Sequence, residues 1–371
     1  MRLLAAVLGG ALLLLVLRDA FEAVVLPRRV QRTFGLSSLF YRTFWRLWRS
    51  VATRLEDGAR EVSLSWFGPF SLLVLLALWA FVIIFAFGAL HWAAGSAVVL
   101  SGHAPGFLDD LYLSGTTFFT LGLGDVVPRV AIAKVLTVTE SGMGFAFLAI
   151  IIGYLPVIYQ AFSRREIAIS MLDARAGSPP TAGELLRRHP PGADPEGLTL
   201  LLHEWERWSA EILESHLSYP VVAYYRSQHG NQSWLAALTL VLDTSALVMV
   251  DSDGACARQA GLTFAMARHA VVDLAQVFSA PRPEKLGERL SEAELDRLIQ
   301  QLGEAGARLR APDARARFSR LRLMYEPYVT ALSEHLALPV PGWFRRSERR
   351  DNWEAAPWKN LSAGAAPPKH F

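Results

Sequence analysis

Thr117, Thr120, Gly122, Gly124 and Asp125 stand in a T-x-x-T-x-G-x-G-D order, with Pro128 following, and are the residues whose types and spacing point to chemistry. Glycines alternate with leucines from Leu121 to Gly124, and glycine alone takes left-handed backbone angles without steric cost. Such angles turn successive carbonyls toward a common axis, where several copies of the segment replace the hydration shell of a cation. Thr120, Leu121, Gly122, Leu123 and Gly124 would supply the ligands, the Thr120 hydroxyl being the innermost. Asp125 would concentrate cations at the outer mouth. Enzymatic catalysis has no comparable support, because no nucleophile, base and orienting group fall together in the chain.

Such a loop needs elements that hold it at membrane depth. Before it, Phe107 to Phe119 is apolar enough to enter a bilayer and too short to cross one, since a helical span takes about 20 residues. Its outer end carries Asp109 and Asp110, which suit the positive end of a helix dipole. Irregular backbone at that depth is tolerated only where it is buried in protein or lines water. On either side lie Trp66 to Trp92, uncharged with aromatic residues at both ends, and Val130 to Phe162, long enough to extend beyond the bilayer. Leu3 to Leu26 reads as an uncleaved anchor helix whose Arg18, Asp19 and Glu22 form an interfacial end.

The segment from Thr117 to Asp125 resembles the pore loop of the potassium channel family, and with its flanking spans the likeness covers roughly residues 66–162. The resemblance implies a homotetramer with the loops on its fourfold axis and potassium as the permeant ion. It also implies a gating hinge in the inner helix, where Gly142 and Gly144 lie, and a kink at Pro156. Close helix packing is the competing role for these glycines. Leu123 replaces the aromatic residue usual in the family, and Phe119 replaces a threonine. A less selective cation channel is therefore one alternative, and a membrane-anchored scaffold whose loop does not conduct is another.

Within the inner helix Glu140 is costly in lipid and should face protein or water; the competing reading is a carboxyl neutralised by protonation or by a nearby hydroxyl such as Thr137 or Ser141. It is the candidate functional charge outside the loop. The segment between Pro27 and Ser65 is rich in arginine, so it should be cytoplasmic, which implies a protein of the plasma (inner) membrane with its N-terminus outside and its C-terminal half in the cytosol. Within it Leu36, Phe40, Phe44, Leu47 and Val51 recur at helical spacing among Arg42, Arg46 and Arg49, an amphipathic helix suited to the lipid surface. No span carries the arginine repeat of a voltage sensor.

The chain has 371 residues, 52% hydrophobic and 19% charged, a mixture of a membrane part and a soluble part. Its net charge of +3 gives no indication of nucleic-acid binding, and a single cysteine, Cys256, excludes an internal disulfide. Helical patterns fall near 197–217, 234–250, 255–278, 291–309 and 312–338, after a Pro and Gly rich linker at 177–192. Asp243, Thr244 and Ser245 argue that 234–250 is a buried bundle helix and not a further span. No phosphate-binding glycine loop or calcium loop occurs, so no cofactor is expected and the regulatory ligand is not specified. The expected fold is an all-α membrane protein with a cytosolic helical domain. Its divisions are an anchor at 1–26, an arginine-rich segment at 27–65, a pore domain at 66–163, the helical domain at 164–340 and a loosely ordered tail at 341–371.

Overall fold

A computed structural model describes residues 1–24, 35–95, 106–229, 231–284, 289–304 and 312–344. The expected looseness of the tail concerns, beyond residue 344, residues outside those described. The chain is all-α, with no strand among the described residues. Its helices are α1 (Arg2–Val24), α2 (Leu36–Ala52), α3 (Asp57–Ala94), α4 (Phe107–Phe118), α5 (Ala131–Ala176) and α6 (Ala182–Arg188). They continue as α7 (Pro195–Ser218), α8 (Trp234–Asp251), α9 (Gly254–Val277), α10 (Glu292–Glu304), α11 (Pro312–Leu323) and α12 (Glu326–Leu336). Two compact units divide the chain, residues 1–160 and 161–371. Helices α1, α3, α5 and α8 are long and apolar enough to cross a membrane.

In the first unit α1 packs along α3. Asp19 is not an exposed interfacial residue: it is buried, and its carboxylate accepts from the Ser37 backbone N–H and hydroxyl, each at 3.0 Å, and from Trp79 Nε1 at 2.9 Å. It thereby satisfies donors in the first turn of α2, which no helix provides for itself, and joins three helices. The aromatic face of α2 settles on the start of α3, Trp45 against Phe67 with ring centroids 4.7 Å apart, and Trp48 donates to the Ser63 carbonyl at 3.1 Å. Arg42, Arg46, Leu39 and Leu47 remain exposed on the other side.

In the second unit α8 is the central helix, every residue from Trp234 to Val248 being buried. That burial is why its apolar composition matches a membrane span while its surroundings are protein. Asp243 at its middle is compensated by Arg289, with N to O distances of 2.6 and 3.3 Å, and by the Tyr325 hydroxyl. The single helix expected over 312–338 is two, α11 and α12, restarting at Pro327 in the first turn of α12, and Tyr325 between them turns inward to Asp243. The Pro and Gly rich stretch is not a loose spacer either: it contains α6, capped by Thr181 and anchored by buried Leu185 and Leu186.

Candidate functional site

Helix α4 opens with Asp109, whose carboxylate accepts from the Gly106 N–H at 2.7 Å, while Asp110 lies buried in the same turn. Both carboxylates stand where the helix dipole favours negative charge. At the other end the chain leaves the helix by two bonds, from the Thr120 N–H to the Thr117 carbonyl at 3.0 Å and from the Leu121 N–H to the Thr116 carbonyl at 2.7 Å. Thr117 itself is buried.

Beyond that exit the backbone alternates. Thr120, Gly122 and Gly124 have φ of 57°, 57° and 78°, whereas Leu121 and Leu123 lie outside the left-handed region. Alternation of this kind gathers amides on one side of the strand and leaves carbonyls to the other. Glycine makes the left-handed state free at two positions, but Thr120 adopts it at a cost of roughly 1–2 kcal/mol. A strained residue held in place by its surroundings is a mark of a functional segment. Thr120 to Asp125 are all exposed in the single chain, and no atom stands within 4 Å of where a Cβ would lie on Gly122 or Gly124.

The outer end of the loop is tied back to α4. The Tyr112 hydroxyl donates to Asp125 Oδ2 at 2.9 Å, and Val126 is buried against Leu113. A phenolic hydroxyl of α4 thus braces the end of the loop. Leu123 is 63% exposed.

Gly144 of α5 passes so close to the end of α4 that a Cβ there would sit 2.0 Å from the Phe118 carbonyl oxygen. Close approach is thus a sufficient reason for glycine at 144. Gly142 meets nothing within 4 Å, and α5 continues as helix through Pro156.

Glu140 is fully buried, and its partners come from other helices: the Ser114 hydroxyl of α4 contacts Oε1, and His91 Nε2 of α3 lies 3.4 Å from Oε2. The sequence neighbours expected to neutralise it do not. The Thr137 hydroxyl instead donates to the Ala133 carbonyl at 2.8 Å. Neither His91 nor Ser114 was singled out by sequence reasoning. His91 stands beside Trp92 at the end of an apolar run, where it reads as an interfacial residue. Among the described residues no group of three or more His, Cys, Asp or Glu side chains is placed to hold a metal ion.

With this geometry in view, comparison with known proteins is informative. Residues 72–160, from α3 through the loop into α5, match a family described as "Ion channel". The chain is also similar to an uncharacterized membrane protein, YdjJ of Bacillus subtilis (strain 168), at 24% identity over 59% of this chain and 68% of that protein. No solved structure matches it. These likenesses support an ion-channel subunit in a membrane and a non-enzymatic role.

Proposed function

We propose that the protein is a potassium-permeable channel that conducts through the backbone of Thr120 to Gly124 in a homotetramer. The observation that carries this reading is the alternation of left-handed residues at 120, 122 and 124 at the end of a half-helix flanked by two spans. Exposed backbone at membrane depth must be covered by protein or line a water path. Four copies around one axis do both, and turn the carbonyls of each copy to a shared cation.

Asp125 stands at the outer mouth, the N-terminus faces outward, and the second unit lies on the cytoplasmic side of the plasma membrane. The arginine-bearing face of α2 rests on lipid headgroups. Gly142, Gly144 and Pro156 are the points at which α5 would yield in gating.

The exposed Leu123 favours one second reading, a cation pore with weaker discrimination. The reversal potential in planar bilayers, with potassium on one side and sodium on the other, separates the two. A reversal potential displaced strongly toward potassium equilibrium supports the first, and one near zero supports the second.

A further inference from the structure

Behind the loop, three helices meet at a buried cluster that conduction itself does not use. Its members are Glu140 of α5 and His91 of α3, both 0% exposed, and the Ser114 hydroxyl of α4, which contacts Glu140 Oε1 and lies 2.7 Å from the Ile84 carbonyl of α3. His91 Nε2 approaches Glu140 Oε2 at 3.4 Å without the geometry of a hydrogen bond. The two contacts of the Ser114 hydroxyl each need their own proton.

The hydroxyl has one proton, Nε2 of the imidazole has one, and an ionised carboxylate has none. A second imidazole proton would sit on Nδ1, away from these contacts. With an ionised Glu140, an oxygen lone pair would be left facing another oxygen in a site closed to water, where an unmet polar contact is costly. From α3 the facing titratable group is His91, from α4 it is the hydroxyl of Ser114 that faces, and on α5 the adjacent turns carry Leu136, Thr137, Met143 and Gly144. Asp109 and Asp110 belong to the first turn of α4.

We propose that Glu140 is held as a carboxylic acid that begins a directed chain of hydrogen bonds. Glu140 Oε1–H donates to Ser114 Oγ, and Ser114 donates to the Ile84 carbonyl, with His91 packed against Glu140 Oε2. The chain runs from α5 through α4 to α3. It fixes the helix that carries the loop against both of its neighbours, so His91, Ser114 and Glu140 are positioning residues for the pore. This role rests on the channel reading.

Infrared spectra of the full chain in lipid test the proton directly. Expected is the carbonyl stretch of a protonated carboxylic acid in the wild type and its loss in Glu140→Gln. Potassium flux into liposomes tests the position. Glu140→Gln should conduct nearly as the wild type does, because an amide N–H donates where the acid did, whereas Glu140→Leu leaves Ser114 without that partner and should conduct about tenfold less. Identical wild-type and Gln spectra, or a Gln variant as impaired as the Leu variant, would overturn the proposal. The spectrum does not depend on conduction, so a protein that carries no ions but shows the band contradicts the channel reading alone.

Discussion

The Tyr112 hydroxyl and the Asp125 carboxylate, 2.9 Å apart, connect the first half of α4 to the far end of the loop that follows it. Everything between them is thereby closed into a ring of chain, anchored at one end by helix hydrogen bonds and at the other by this contact. Tyr112→Phe removes the contact and keeps the ring. The bond is open to solvent, so its loss should loosen the far end of the loop without unfolding the chain. Single-channel recording should show shorter openings and a smaller preference for potassium over sodium, with unit 2 unaffected.

Gly144 and Gly142 should respond differently to one added methyl group. At 144 the Cβ meets the Phe118 carbonyl at 2.0 Å, and at 142 it meets nothing within 4 Å. Gly144→Ala should displace the end of α4 and cost roughly 1–3 kcal/mol, as overpacking does, while Gly142→Ala should be close to neutral. Survival of the folded protein on heating in detergent measures the first, and flux through both variants shows whether conduction follows packing.

How much of this was legible in the chain depends on the distance over which each feature is encoded. The loop was readable because Thr120, Gly122, Gly124 and Asp125 are contiguous and their spacing is itself the structural instruction. Glu140 could be singled out as a charge inside an apolar helix, but its partners could not, since Ser114 and His91 belong to other helices and nothing local marks them. Asp19 misled for the same reason: beside Arg18 and Glu22 it looks like an interfacial charge, and only the approach of Ser37 and Trp79 shows that it is an internal junction. The break before α12 carries a local mark in Pro327, which suits the first turn of a helix and disrupts an interior; the inward turn of Tyr325 to Asp243 carries none.

That buried junction gives the second unit a sharp sensitivity. Asp243 is 1% exposed and faces Arg289 and Tyr325. Asp243→Ala strands the guanidinium without its partner and should destabilise the second unit by roughly 3–5 kcal/mol. Asp243→Asn, which keeps an acceptor for Tyr325, should cost less. Thermal unfolding of the full chain in detergent, followed through its buried tryptophans, orders the three proteins.

The second unit should also weaken in mild acid. Burial, with the nearby charge of Arg165, pushes the His216 imidazole well below its ordinary value of 6.5, and its Nδ1 lies 2.9 Å from the Ile212 carbonyl. His189 is lowered in the same direction, chiefly by burial. Below pH about 6.5 the unfolded chain binds protons that the native one refuses, so stability is complete above that pH and falls as pH drops beneath it. Unfolding temperatures across that range should decline toward acid, and His216→Gln should flatten part of the decline.

Flux of potassium into liposomes bearing the purified protein, compared between wild type and Gly122→Ala, addresses conduction through the loop most directly. Alanine at 122 must hold φ near 57°, a state that costs it roughly 1–2 kcal/mol, while no neighbouring atom obstructs its methyl group within the chain. Expected is potassium flux in the wild type that is abolished or loses its preference over sodium in Gly122→Ala, with both proteins assembled to the same size. Equal, equally selective flux in both would contradict conduction through Thr120 to Gly124.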